Sequence, residues 1–178
     1  EITKAHNGIL FLDELAEFKR STIELLRAPM ESGKVIHARK NRTVEYPCDF
    51  MLVAAMNPCP CGYYPDAARC RCTPEQVRSY LGRISHAFLD RIDIIIEAET
   101  VEFNDNLYND TYEHSSAYIL DKVNAAKHIQ DKRYEKSSVK CNARMSSDEI
   151  KKWCRVSGAG RSLLEDIYNG WGLSLRSY

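Results

Sequence analysis

Gly8-Ile9-Leu10-Phe11-Leu12-Asp13-Glu14 is a run of four consecutive apolar residues closed by two acids. It has no alternation, so it reads as a strand buried on both faces, the habit of parallel sheets. Met51-Leu52-Val53-Ala54-Ala55-Met56 and Ile92-Asp93-Ile94-Ile95-Ile96 repeat the pattern, with helical segments between them. An α/β sheet follows. Acids at the carboxyl end of a parallel strand stand where open α/β sheets bind their ligands. One carboxylate there can hold a magnesium ion through its water shell, while the next orients or deprotonates a water attacking a γ-phosphate. The plainer alternative is two polar residues that end a strand.

Outward from that strand, a helix is predicted over residues 21–30, with Ile23, Leu26 and Met30 on one stripe and Gly33 as its stop. Residues 35–38 and 43–46 then flank Arg39-Lys40-Asn41-Arg42, a basic turn between two β-prone runs. The second apolar strand ends in Asn57-Pro58. An amide there can donate to a γ-phosphate or to its attacking water, although Asn-Pro alone is a turn former. Thr73-Pro74-Glu75-Gln76 is a capping box with proline at the first helical position, and the helix it starts should end near Ser85 with Val77, Tyr80, Leu81 and Ile84 inward. In Leu89-Asp90-Arg91-Ile92-Asp93 an arginine stands just before the third run. Its guanidinium can stabilise phosphoryl-transfer charge in a neighbouring subunit, or simply pair with Asp90 or Asp93.

At Thr100 the composition changes. An acidic linker leads to a predicted helix over 116–133 with Ile119, Leu120, Val123 and Ile129 on its apolar face; Ser146-Ser147-Asp148-Glu149 caps another, and residues 158–172 bracket one more. The reading is therefore α/β at 1–100 followed by all-α at 101–178.

With 178 residues, 44% hydrophobic and 28% charged, the chain can bury a core, which excludes a disordered tail or a disulfide-stapled mini-protein. Lys+Arg and Asp+Glu balance at 25 each, so no global field steers the chain to nucleic acid or membrane and any such surface is local. The charges are segregated: residues 92–121 hold eight acids and no Lys or Arg, residues 122–161 eleven bases and four acids. No apolar run approaches the roughly 20 residues of a membrane helix. A soluble, cytoplasmic protein without a membrane partner is expected. The start at Glu1, with a strand by Gly8, reads as a cut into a longer protein.

Four of the seven cysteines, Cys59, Cys61, Cys70 and Cys72, fall inside fourteen residues as C-x-C, eight residues, C-x-C. An odd total with local clustering favours a metal site or reduced thiols over a secreted disulfide framework. Thiolates suit tetrahedral zinc at about 2.3 Å, but one-residue spacing within each pair is less usual than two. Structural zinc, free thiols and a disulfide all stay open. Cys48, Cys141 and Cys154 read as small apolar residues.

The run from Ala5 to Leu15, then Leu52-Val53-Ala54-Ala55-Met56-Asn57-Pro58-Cys59-Pro60-Cys61-Gly62, then Leu89 to Asp93, resembles the magnesium-chelatase-like branch of the AAA+ ATPases. The cysteine stretch leading into Thr73-Pro74-Glu75-Gln76-Val77 narrows this to the bacterial ComM/YifB type, a competence-related DNA helicase family. A weaker resemblance of the first motif to enhancer-binding transcription activators fails at the cysteines. The resemblance implies the C-terminal half of an AAA+ P-loop ATPase core followed by a helical lid. It implies the Walker B pair at Asp13 and Glu14, sensor 1 at Asn57, the arginine finger at Arg91 and the sensor-2 arginine at Arg176. ATP with magnesium, self-association into a ring (a hexamer) and a DNA partner come with it, and Arg39, Lys40 and Arg42 would face the ring's pore as a positive collar. No G-x-x-x-x-G-K-[ST] occurs in the 178 residues, and the family carries it upstream of Walker B, so the chain alone is expected to be inactive. The activity implied is ATP hydrolysis coupled to DNA remodelling or branch migration. The alternatives are a magnesium-chelatase subunit driving metal insertion into a porphyrin, and a non-catalytic zinc-stabilised binding module.

Overall fold

The computed structural model describes residues 1–39, 42–98 and 115–171. Strand β1 (Ile9–Leu12) pairs in parallel with β4 (Met51–Ala54), Ile9 opposite Met51 and Leu12 opposite Ala54. Leu10, Leu12 and Leu52 turn inward onto a core of Leu15, Ile23, Leu26, Ile84 and Phe88, joined by Ile2, Met30, Leu89 and Ile92. The other face of the pair, Ile9, Phe11, Met51 and Val53, is exposed. This corrects the expectation of strands buried on both faces. Such burial needs a layer on each side, and among the described residues helices cover one.

The third apolar run also departs from expectation. Residues 92–96 form no strand, and Ile94, Ile95 and Ile96 are 80%, 67% and 84% exposed. Apolarity prepares a segment for a sheet, but a strand exists only where a neighbour completes its ladder, and neither β1 nor β4 does so here.

Between β1 and β4 lie two short helices and a hairpin. The single helix expected over 21–30 is two, α1 (Arg20–Leu25) and α2 (Arg27–Ser32). Pro29 has no N–H to give the Leu25 carbonyl, so the helical ladder breaks there. Gly33 ends α2 at φ 66°, a left-handed cap that a side chain would oppose. Antiparallel β2 (Lys34–Arg39) and β3 (Arg42–Pro47) follow, with Arg39 and Arg42 as the closing pair, and each strand runs one residue further at both ends than the sequence suggests. The Cys48 N–H donates to the Gly33 carbonyl at 2.8 Å and seals the base.

Helix α3 (Pro74–Leu81) carries the complete capping box: the Gln76 N–H donates to Thr73 Oγ1 at 3.3 Å and the Thr73 N–H to Gln76 Oε1 at 2.8 Å. Val77, Tyr80 and Ile84 are buried as expected, whereas Leu81 is 40% exposed. Helix α4 (His86–Leu89), capped by Ser85, inserts Phe88 fully into the core.

The chain divides into two compact units, one from Glu1 to Ile95 and one beginning at Ile96. The second is helical where described: α5 (Ser116–Arg133), α6 (Ser147–Trp153), whose capping box joins Ser146 to Glu149, and α7 (Gly158–Trp171). Tyr134 is buried and donates its hydroxyl to Asn142 Oδ1 at 2.9 Å. The Trp153 ring lies beside two cations, Arg133 at 5.6 Å and Lys152 at 4.7 Å. The expected apolar face of α5 is exposed, Ile119, Leu120, Val123 and Ile129 each by more than half. Among the described residues no helix is long and apolar enough to cross a membrane.

Candidate functional site

The carboxyl edge of the parallel pair collects the first group of candidate residues. Pairing continues past the strand ends: the Ala55 N–H donates to the Leu12 carbonyl at 2.9 Å, and the Leu15 N–H to the Ala55 carbonyl at 2.9 Å. Asp13-Glu14 and Asn57 therefore leave the sheet on one side. All three are exposed, while Leu15 and Ala16 behind them are buried and anchor the turn. Glu14 has φ 50° and ψ 48°, a left-handed conformation rare for a non-glycine residue. Asp13 Oδ1 accepts the Glu14 N–H at 2.9 Å and so braces this bend.

The turn is held from outside by an arginine that the sequence did not single out. Arg83, past the end of α3, donates to the Ala16 carbonyl at 2.9 Å and to Glu17 Oε2 at 3.1 Å. Its partners are distant in sequence, and an isolated arginine after a helix carries no local signal of that pairing.

Arg91 sits after α4, preceding no strand, and its side chain is only 15% exposed. Its guanidinium pairs with Glu31 of α2 rather than with Asp90 or Asp93, and donates also to the Ala87 carbonyl. Its Nε is buried without a partner. None of these bonds reaches Asp13, Glu14 or Asn57. Arg176 and Lys40 lie outside the described residues. Arg39 and Arg42 close the hairpin as a register pair, with Arg42 exposed.

The second group is sulfur. Cys59, Cys61, Cys70 and Cys72 bring all four Sγ atoms within 4.8 Å of one another. Cys59–Cys61 is 3.4 Å, Cys61–Cys70 3.7 Å and Cys59–Cys70 3.9 Å. Cys59 is fully buried and the other three partly so. The backbone N–H groups of Arg71 and Tyr63 pull the Cys61 thiol down to about 6, whereas burial pushes Cys72 up to about 12. The loop touches the first group: a Cβ on Gly62, at φ 83°, would stand 3.9 Å from Asn57 Oδ1. Of the remaining cysteines, Cys48 is buried, and burial raises its thiol; Cys154 is exposed rather than packed.

Two family models match the chain. One described as magnesium chelatase, subunit ChlI, covers residues 1–106, and one described as magnesium chelatase, subunit ChlI C-terminal, covers residues 113–178. Similar curated proteins include the competence protein ComM of Haemophilus influenzae, 40% identical over the whole chain, and the protein YifB of Salmonella typhimurium, 42% identical over the whole chain. In each, the match covers 34% of the relative, so the chain spans about a third of their length. The magnesium-chelatase 67 kDa subunit of Chlorobaculum parvum is 35% identical over 57 residues, 32% of this chain and 9% of that protein.

Proposed function

The chain belongs to the magnesium chelatase subunit ChlI family, and on that premise we propose that it is part of a ring-forming AAA+ ATPase coupling ATP hydrolysis to DNA remodelling or branch migration. Membership implies an AAA+-like fold, with which the small parallel sheet and its helices accord. The observation that carries the proposal is the β1–β4 pairing, which delivers two carboxylates and an amide to one sheet edge.

Exposed carboxylate oxygens are the donors magnesium prefers, so the edge fits a magnesium-bound nucleotide, and Asp13 would be the residue that holds the ion. Bound there, magnesium would neutralise charge on the phosphate oxygens. Glu14, turned off the strand line by its left-handed backbone, orients the attacking water and takes its proton. Asn57 donates its amide to the γ-phosphate or to that water. Arg91 would serve the nucleotide of a neighbouring subunit once it leaves Glu31, and Arg176, outside the described residues, is the candidate sensor-2 arginine. The loop that cradles phosphates comes from outside these 178 residues. Arg39, Lys40 and Arg42 line the pore and contact DNA phosphates.

Among the curated relatives, the match to a competence protein runs the full chain and that to a magnesium-chelatase subunit 57 residues, which supports the first reading over porphyrin metallation. In the full-length protein, Glu14→Gln should lower ATP turnover about 100-fold or more, the scale of a lost general base, while ATP binding persists. Undiminished turnover in that variant would refute the assignment.

A further inference from the structure

We propose that Cys59, Cys61, Cys70 and Cys72 form a closed structural zinc site that locks the connection between β4 and α3. The site stands on sulfur geometry and does not depend on the ATPase reading.

Four sulfurs bound at about 2.3 Å to a tetrahedral zinc lie about 3.8 Å from one another. The three distances here are 3.4, 3.7 and 3.9 Å, and all four atoms fit within 4.8 Å. A disulfide would need about 2.05 Å. Unbridged thiols with no common partner have no reason to gather as four within 4.8 Å, because each would pack as well against carbon. An all-sulfur donor set is soft and leaves no oxygen ligand, which selects zinc over magnesium or calcium. Four protein ligands fill a tetrahedron, so the site has no open position for substrate and its role is structural.

Backbone N–H groups surround the sulfurs. The Tyr64 N–H donates to Cys59 Sγ at 3.4 Å, those of Arg71 and Tyr63 approach Cys61, and that of Cys72 approaches Cys70. Backbone donors of this kind orient ligands and stabilise their charge. The eight residues between the two pairs are organised by themselves: Asp66 Oδ1 accepts the Ala68 and Arg69 N–H groups at 2.8 and 3.2 Å, its carbonyl accepts the Cys70 N–H at 2.7 Å, and its Oδ2 pairs with Arg69 Nε at 2.5 Å. The loop thus presents its second cysteine pair to the first.

Closing the loop has mechanical consequences at both ends. Cys72 directly precedes the Thr73 cap of α3, and the segment past α3 ends in the Arg83 clamp on the turn after Glu14. Gly62 lies against Asn57. A metal at the cysteines therefore fixes α3 and the Asn57 side of the sheet edge relative to one another.

The test is made on the full chain purified from zinc-supplemented culture. Elemental analysis should find about one zinc per chain, and Cys70→Ser and Cys72→Ser should lower it by about tenfold, whereas Cys154→Ser should not change it. Should the serine variants fail to fold, the unaltered chain suffices. Stripped of metal under reducing conditions and titrated with Co(II), it should develop the intense thiolate charge-transfer and visible bands of tetrahedral all-sulfur cobalt, discharged by one equivalent of Zn(II). A metal-free chain with four titratable thiols, a Cys59–Cys61 or Cys70–Cys72 disulfide, iron in place of zinc, or octahedral cobalt spectra would each overturn the proposal.

Discussion

Glu14 occupies a backbone region that costs an L-residue with a Cβ about 1–2 kcal/mol. The adjoining Asp13 carboxylate braces it and the burial of Leu15 and Ala16 holds it in place. Replacing it with glycine removes the Cβ clash but adds the flexibility of glycine in the unfolded chain, about 0.5–1 kcal/mol. Glu14→Gly should therefore leave stability unchanged or raise it by up to about 1.5 kcal/mol. Glu14→Val, with a branched Cβ still worse suited to the left-handed turn, should be less stable than the parent. Urea unfolding midpoints at constant slope measure both. A glycine variant less stable than the parent by more than about 1 kcal/mol would mean that the carboxylate bonds structurally instead of standing free for chemistry. Strain retained at an exposed acid is the pattern of a residue kept for function.

Among the elements, what is legible in the sequence is local. The caps of α3 and α6 and the limits of α5 follow from residues three or four apart, and the structure has them where those residues stand. The break at Leu26, set by Pro29, is equally local, but the stripe of Ile23, Leu26 and Met30 masks it. What fails is non-local: the strand expected at 92–96, the second buried face of β1 and β4, and the partners of Arg91 and Arg83 all depend on chain far away in sequence. For the site, Asp13, Glu14 and Asn57 can be placed from their strands, and the cysteines from their spacing, but the approach of Gly62 to Asn57 cannot. The hairpin is the element whose tip carries the DNA proposal. Changing Arg39, Lys40 and Arg42 to Ala in the full-length protein should weaken binding to all DNA sequences alike. Each phosphate no longer neutralised should flatten the slope of log affinity against log salt by about 0.7–0.9. ATP hydrolysis without DNA should persist. Unaltered affinity and salt slope would leave the turn a solvated tip.

At the scale of the molecule, the 178 residues hold the acids and the amide of the proposed site but no G-x-x-x-x-G-K-[ST] segment. The chain alone should therefore neither bind ATP tightly nor hydrolyse it, because Asp13 and Glu14 have no held phosphate on which to act. Isothermal titration and a phosphate-release assay read this directly, and turnover by the purified chain that disappears in Glu14→Gln would overturn it. The division into two units also has an optical side. Both tryptophans, Trp153 and Trp171, lie beyond Ile95, whereas the first unit has tyrosines as its largest chromophores. Indole emission excited at the red edge of the absorption band thus comes wholly from the second unit, with Trp153 further tuned by the charges of Arg133 and Lys152 beside its ring. The unit that carries Asp13, Glu14 and the four sulfurs contributes no indole emission of its own to that signal.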